Sequence, residues 1–126
     1  MSKSKKSVLD VGNCGPDHSS IRGMLQNNFD VEVRQADATA DALAALEKQP
    51  ADLILVNRKL DCDYSDGIDV IRAIKNDERF AGIPVMLVTN LEEHQAAAVA
   101  IGAEHGFGKL SLRAPETQER LQRFLA

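Results

Sequence analysis

The residues that could bind a metal, accept a transferred group or undergo thiol chemistry lie mainly in two polar segments. One is Asp61–Asp66, which contains three aspartates and Cys62. The other holds Cys14, four residues before His18. The aspartates could form a metal or acceptor site, and the thiols could form a redox disulfide or a site with His18. Because neither segment has the spacing of a metal-ligand motif, a solvated acidic loop and free thiols in a reducing compartment are the simpler interpretations.

A carboxamide ends one of the most apolar runs of the chain. The run Leu53–Val56 leads into Asn57, which is followed by Arg58 and Lys59. Because a carboxamide offers a weak neutral oxygen and an NH₂ donor, Asn57 can form hydrogen bonds but cannot supply an anionic oxygen. Taken alone, a turn residue without a role is the simplest interpretation of Asn57.

Five apolar or β-branched runs predict the strands that would position these residues. In chain order they are SVLDV, VEVRQA, DLILV, IPVMLV and EHGFGK. Because each parallel connection needs a crossover, strands that alternate with helices predict an α/β fold with a five-stranded parallel sheet and helices on both faces. The helices are predicted to begin at Pro16–Asp17, at a capping Thr39, after Asp66–Gly67, in an alanine-rich segment that ends at Gly102, and at Pro115.

The functional crevice of such a sheet lies beyond the carboxyl ends of the strands, where the strand order reverses. Asp10 lies below that edge, inside an apolar strand, where an unpaired carboxylate would be costly. We expect a salt bridge or hydrogen bond to satisfy Asp10, since its side chain would point away from the crevice. The residues predicted to line the crevice are Gly12–Gly15, Asn57–Tyr64, Thr89, Asn90 and Lys109.

Length and composition limit the classes of protein to which the chain could belong. Its 126 residues suit one domain, with residues 7–126 folded and residues 1–6 forming a basic flexible tail. With 4% aromatic residues and no tryptophan, the chain lacks the stacking residues of nucleic-acid binders. No apolar run approaches the ~20 residues that span a bilayer. We therefore expect a cytoplasmic protein that binds neither nucleic acid directly nor membranes.

Six segments, taken in order, resemble the receiver domain of bacterial response regulators across nearly the whole chain. They are PDHSSIRGML, ADALAAL, PADLILVN, DGIDVIRAIK, IPVMLVTN and GAEHGFGK. The resemblance implies a CheY-like, flavodoxin-like (βα)5 fold. It also implies a phosphoryl acceptor, in which an aspartate at the tip of the third strand takes a phosphoryl group from a kinase histidine. In that family an acidic pair after the first strand helps to hold Mg²⁺, and a Ser or Thr and a Lys contact the phosphoryl oxygens.

The acidic groups of the family's site fall on neutral residues of this sequence. The acceptor aspartate falls on Asn57. The acidic pair falls on Gly12 and Asn13 if the strand is aligned, or on Asn13 and Cys14 if the following helix is aligned. Neither choice supplies an acid.

Other family positions match this sequence in part. Thr89 and Lys109 match the contacts to the phosphoryl oxygens, although each could also be an ordinary strand-end residue. The switch aromatic falls on Gly106, with Phe107 beside it, and Leu110 replaces the proline of the family's Lys-Pro pair. The loop after the third strand is also longer than in the family. These departures argue against the family's conformational relay.

We expect the phosphoryl chemistry of the family to be lost. Such transfer needs an anionic acceptor oxygen in line with phosphorus and a divalent metal that neutralises charge. Asn57 cannot form the usual acyl phosphate, and neutral groups beside the cation Lys109 should repel Mg²⁺. Asn57 could accept a hydrogen bond from Lys109. Because the site has no carboxylates that repel one another, we expect the pocket to rest in one conformation.

The sequence therefore favours a stand-alone, non-enzymatic and phosphorylation-independent protein-interaction module of a bacterial two-component or phosphorelay system. Because no output domain follows, we expect a separate signalling protein as partner: a histidine kinase, an output protein or a scaffold. The chain itself is expected to be a monomer or a weak homodimer. The partner face implied by the family is made by the fourth helix, fifth strand and fifth helix, here Glu92, Glu93, Gln95, Glu104, Lys109 and the segment RAPETQER.

Two alternatives from other functional classes remain open. The chain could be a phosphotransfer receiver that uses a non-standard acceptor, Asp61 or Asp63. It could also be a small-ligand or redox sensor that uses the crevice together with Cys14 and Cys62.

Overall fold

A computed structural model describes residues 5–126 of the chain. Within this range five parallel strands form one sheet, in the spatial order β2-β1-β3-β4-β5. The strand order reverses between β1 and β3, and the carboxyl ends of these two strands therefore flank the crevice expected of an open α/β sheet. The predicted parallel α/β fold is confirmed. The strands are β1 Lys6–Val11, β2 Val31–Ala36, β3 Leu53–Asn57, β4 Val85–Val88 and β5 Glu104–Phe107.

The helices begin close to the predicted signals. Asp66 caps α3, since its carboxylate accepts a hydrogen bond from Ile68 N at 3.0 Å. The prediction for Thr39 is wrong: Ala38 is the N-cap of α2, and its N–H donates to Asp41 Oδ2 at 3.1 Å. In residues 5–126 the helices are α1 Gly15–Asn28, α2 Thr39–Lys48, α3 Gly67–Lys75, α4 Glu92–Ala100 and α5 Pro115–Leu125, with a 3₁₀ turn at Lys109–Ser111.

Both faces of the sheet are covered. On one face Leu9, Val11 and Ile54 pack with residues of α2, α3 and α4, and on the other face Leu55 and Met86 pack with residues of α1 and α5. Side chains on both faces of β3 and β4 are therefore buried, which is why these strands show no alternation of polar and apolar residues.

Lys6, the last residue of the predicted basic tail, belongs to the folded part of the chain. Lys6 is the first residue of β1, and its backbone N–H donates to Asp30 O at 3.1 Å. Residues 1–4 of the predicted tail lie outside the described residues. In the part of the chain that is described, no helix is long and apolar enough to cross a membrane.

Candidate functional site

The crevice is built where the carboxyl ends of β1 and β3 lie side by side. Gly12 follows β1 with a φ of +81°, and a Cβ at this position would overlap the side chain of Leu60. This close approach lets Asp61 N donate to Gly12 O at 2.9 Å. The loop after β3 is therefore held directly against the loop after β1, and Asn57 lies between them.

The side chain of Asn57 is bonded through its NH₂ group. It donates to Lys59 O at 2.6 Å and, over a longer distance of 3.5 Å, to Gly12 O. The nearby carbonyl oxygens fix the orientation of the amide, because the opposite orientation would place its oxygen against that of Lys59. The carboxamide thus bridges the two loops and directs hydrogens toward both carbonyl groups.

Lys109 does not donate to Asn57, contrary to the prediction from the sequence. Its ammonium instead donates to Asp17 Oδ2 at 2.7 Å, and this bond holds the pKa of the Asp17 carboxyl below its usual value. The physical reason is the charge of the acceptor, since a carboxylate accepts a stronger hydrogen bond from an ammonium than a neutral amide does.

The structure nevertheless brings Asn57, Thr89 and Lys109 together. All three line one groove of about 350 Å³ at the carboxyl edge of β3 and β4. The Thr89 hydroxyl accepts a hydrogen bond from Leu91 N at 3.2 Å, at the start of α4. The two predicted phosphoryl contacts therefore face the groove, and each also has a bond within the fold.

Asp10 lies beneath this edge with partners that the sequence did not identify. It is fully buried, accepts a hydrogen bond from the Asn13 NH₂ and lies 2.7 Å from His18 Nδ1. Burial raises the pKa of the Asp10 carboxyl, while the bonds from His18 and Asn13 and the charge of Lys109 act in the opposite direction. The expected salt bridge or hydrogen bond is confirmed, and it ties β1 to the first turns of α1.

The acidic loop uses its carboxylates to shape its own turns. Asp63 Oδ1 accepts hydrogen bonds from Ser65 N at 2.9 Å and Ser65 Oγ at 2.6 Å, and Asp66 caps α3. Cys62 is exposed and Cys14 half-buried, and both are free thiols. Among residues 5–126, no group of three or more His, Cys, Asp or Glu side chains could hold a metal ion.

Gln95, which was predicted to belong to the exposed partner face, bonds to backbone groups in the region of the predicted switch. Gln95 is only 2% exposed, so it does not belong to an exposed partner face. Its Nε2 donates to Leu87 O at 2.9 Å and Thr89 O at 3.3 Å, and its Oε1 accepts from Gly106 N at 2.8 Å. These bonds occur where the register of β4 and β5 shifts, between the pairs Met86–Glu104 and Val88–Phe107. The carboxamide of Gln95 thus joins two strands at a bulge.

Both candidates for the position of the switch aromatic are buried. Gly106 is buried, and a Cβ added there would overlap Leu87 O. Phe107 is 2% exposed and packs in the core on the side of α1 and α5. The other residues of the predicted partner face are accessible: Glu92 and Glu93 are exposed, while Glu104 and Lys109 are half-buried. Glu92 also lies 2.8 Å from His105 Nε2.

Comparison with known proteins identifies the class of this fold and site. Residues 17–111 match the family described as response regulator receiver domain. The chain therefore belongs to the receiver domain family of two-component signalling. A search of curated proteins found no match.

Solved structures support the same fold along nearly the whole chain. The chain is similar to chemotaxis response regulator CheY4 of Vibrio cholerae, with 23% identity, coverage of 97% of this chain and 100% of that chain, and a TM-score of 0.74. It is similar to the signal receiver domain of a DNA binding response regulator protein (merR) from Colwellia psychrerythraea 34H, with 22% identity, coverage of 94% and 97%, and a TM-score of 0.78. It also resembles a sensor protein from Polaromonas sp. JS666, with 18% identity, coverage of 96% of each chain and a TM-score of 0.81. These similarities confirm the CheY-like, flavodoxin-like fold.

The donor groups at the crevice do not suit the Mg²⁺ ion that the family implies. Mg²⁺ prefers several hard, anionic oxygens in an octahedral array. Here the Lys59 carbonyl oxygen accepts a hydrogen bond from the Asn57 NH₂, and the Asp17 carboxylate accepts one from Lys109. Asn13 Oδ1 is buried without a hydrogen-bond partner among residues 5–126, but it would supply only one neutral oxygen ligand. Within residues 5–126, these groups therefore do not form the set of several anionic oxygens that this ion prefers.

Proposed function

We propose that this receiver domain is a phosphorylation-independent protein-interaction module and not an enzyme. The observation that carries the proposal is the bonding of the Asn57 NH₂ to the carbonyl oxygens of Lys59 and Gly12. A phosphoryl acceptor must present an anionic oxygen, with charge neutralised by a metal, at the corresponding point. A neutral amide that directs its hydrogens into the two loops supports neither requirement.

The fixed contacts between β4, β5 and α4 support the same proposal. A relay from the crevice to the partner face requires an element with two arrangements of similar free energy. Gln95 bonds to backbone groups of Leu87, Thr89 and Gly106, and the buried Phe107 fills core space. Signalling in this account depends on how much protein is present and what competes for it, and a phosphoryl group plays no part.

The proposed partner is another signalling protein, such as a histidine kinase, an output protein or a scaffold. The accessible residues of α4, β5 and α5, with the segment RAPETQER, form one candidate surface for it. Glu92, Glu93 and Glu104 give this surface an acidic character. Partner binding there would not depend on the state of Asn57.

Acetyl phosphate tests the proposal directly. We expect incubation of the purified chain with Mg²⁺ and acetyl phosphate to leave its intact mass unchanged, because Asn57 cannot form an acyl phosphate. Capture of a partner from extracts of the native cell should be equally strong with and without acetyl phosphate. A gain of one phosphoryl group would contradict the proposal. If the gain disappeared in the double variant Asp61→Asn/Asp63→Asn, the acceptor would be assigned to the loop.

A further inference from the structure

The groove at the carboxyl edge of β3 and β4 is rich in positive charge. We call it the crest groove and define it by Asn57, Arg58, Lys59, Thr89, Leu91 and Lys109, which lie along its walls. Three of these six side chains are cations. The chain as a whole carries a formal charge of −4, so the groove differs in sign from the average surface.

Two of the cations have no anionic partner within the fold. Among residues 5–126, neither the Arg58 guanidinium nor the Lys59 ammonium takes part in a salt bridge or a side-chain hydrogen bond, whereas Lys109 is paired with Asp17. Some other cations of the chain are paired, such as Arg79 with Asp77. Because Asn57 is neutral, its side chain supplies no compensating charge to Arg58 and Lys59. Their charges are available to an external anion.

One exposed leucine lines the same groove, and a second follows Lys109 in the chain and lines the neighbouring groove. Leu91 is 48% exposed and lines the groove, and Leu110 is 88% exposed. The side chain of Asn90 links them, since its Oδ1 accepts a hydrogen bond from Leu110 N at 3.1 Å. A single exposed leucine is ordinary, but Leu91 beside two unpaired cations, with Leu110 linked to it through Asn90, gives the surface both apolar and ionic character.

We propose that the crest groove binds an acidic segment of a partner protein. Carboxylates of this segment pair with Arg58 and Lys59, and an aliphatic side chain of the segment packs on Leu91 and Leu110. The inference rests on the proposed function, since it adds a second contact surface for the partner, separate from the acidic surface of α4 and β5, and requires a crevice without metal or phosphoryl group. A nucleic acid fits less well, because the residues that line the crest groove include Leu91 and no aromatic side chain for stacking.

Peptide binding tests this inference. The probe is a short fluorescein-labelled peptide in which aspartate and glutamate alternate with leucine, and its binding is followed by fluorescence anisotropy. We expect the double variant Arg58→Ala/Lys59→Ala to weaken binding about tenfold, because two exposed ion pairs are lost. Added salt should weaken binding by the wild type, since screening reduces ionic contacts. Leu110→Ser should weaken it about fivefold through loss of apolar contact.

Matched controls separate the crest groove from a general charge effect. The double variant Arg22→Ala/Lys48→Ala removes the same charge from exposed positions on α1 and α2, and it should change the affinity by less than about twofold. A peptide with serine in place of leucine, and one with lysine in place of the acids, should both bind weakly. Far-ultraviolet circular dichroism checks that each variant is folded.

Three results would overturn the inference. They are equal loss of affinity in both double variants, equal binding of the leucine and serine peptides, and tighter binding of a single-stranded oligonucleotide than of the acidic peptide. Failure here is distinguishable from failure of the proposed function. If the Arg58→Ala/Lys59→Ala variant still captures the cellular partner at full strength, only the crest groove is rejected. A phosphoryl mass gain would reject the proposed function instead.

Discussion

Gln95→Leu is expected to lower the free energy of unfolding by about 3 kcal/mol. Leucine has a similar size and would remain buried, but it can neither donate to Leu87 O nor accept from Gly106 N. A buried polar group left without its partner costs about 1–3 kcal/mol, and this substitution affects two such groups. Denaturation with urea, followed by circular dichroism, measures the change.

The control for Gln95 is Gln26, an exposed glutamine on α1. Gln26→Leu should change the free energy of unfolding by less than about 0.5 kcal/mol, because no buried bond is lost. If the two glutamine variants had the same stability, the bonds of Gln95 across the bulge would not hold α4 to β4 and β5. The proposal of a fixed partner face would then lose its main structural support.

Gly106→Ala is expected to destabilise the chain by a similar amount, about 3 kcal/mol. The new Cβ would overlap the carbonyl oxygen of Leu87, which belongs to the backbone of β4 and cannot move without shifting the strand. Overpacking of this kind typically costs about 1–3 kcal/mol, and more where the backbone must move. Thermal and urea unfolding of the variant give the measurement.

Gly23→Ala provides a control of the opposite sign. Gly23 lies inside α1, and nothing lies within 4 Å of the position that its Cβ would take. Alanine is the better helix former by about 1 kcal/mol, so this variant should be stabilised. A neutral or stabilising effect of Gly106→Ala would contradict the close packing of β4 and β5 that the structure describes.

Gln95 and Gly106 lie together at the position of the family's conformational switch. Gly106 stands where the family's switch aromatic falls, and its surroundings leave no room even for a methyl group. Gln95 bonds to the groups at that point. Replacing Gly106 with an aromatic residue should therefore disrupt the backbone before it could restore a relay.

The elements of the fold could be predicted because their signals are local. Apolar runs gave β3 and β4, Asp66 gave the start of α3, and Pro115 gave the start of α5. The place of Asn57 at the end of a central strand followed from the same reasoning. Each of these features depends on a few neighbouring residues, and tertiary contacts did not override them.

The role of Gln95 could not be predicted, because it depends on a feature that no local pattern encodes. The segment of α4 is rich in alanine and polar residues and has no clear apolar stripe, so a glutamine there reads as a surface residue. Its burial follows from the register shift between β4 and β5, which places Leu87 O and Gly106 N beside its carboxamide.

The partners of charged side chains also could not be predicted from the sequence. Lys109 has a long flexible side chain, and both Asn57 and Asp17 were possible acceptors; the charged acceptor was the stronger one. Asp10 was expected to have a partner, but His18 could be identified only once α1 was packed on the sheet. Such choices depend on distances in three dimensions.

Titration of the isotope-labelled protein with magnesium chloride tests whether the crevice binds Mg²⁺. The signals to follow by nuclear magnetic resonance are the side-chain NH₂ of Asn57 and the backbone amides of Lys59 and Asn13, with sodium chloride of matched ionic strength as the control. We predict that both salts produce the same small shifts, because the Asn57 NH₂ donates to Lys59 O and the Asp17 carboxylate is paired with Lys109, so the site lacks the set of anionic oxygens that Mg²⁺ prefers. Saturable shifts at Asn57 and Lys59 that occur only with magnesium would contradict the account.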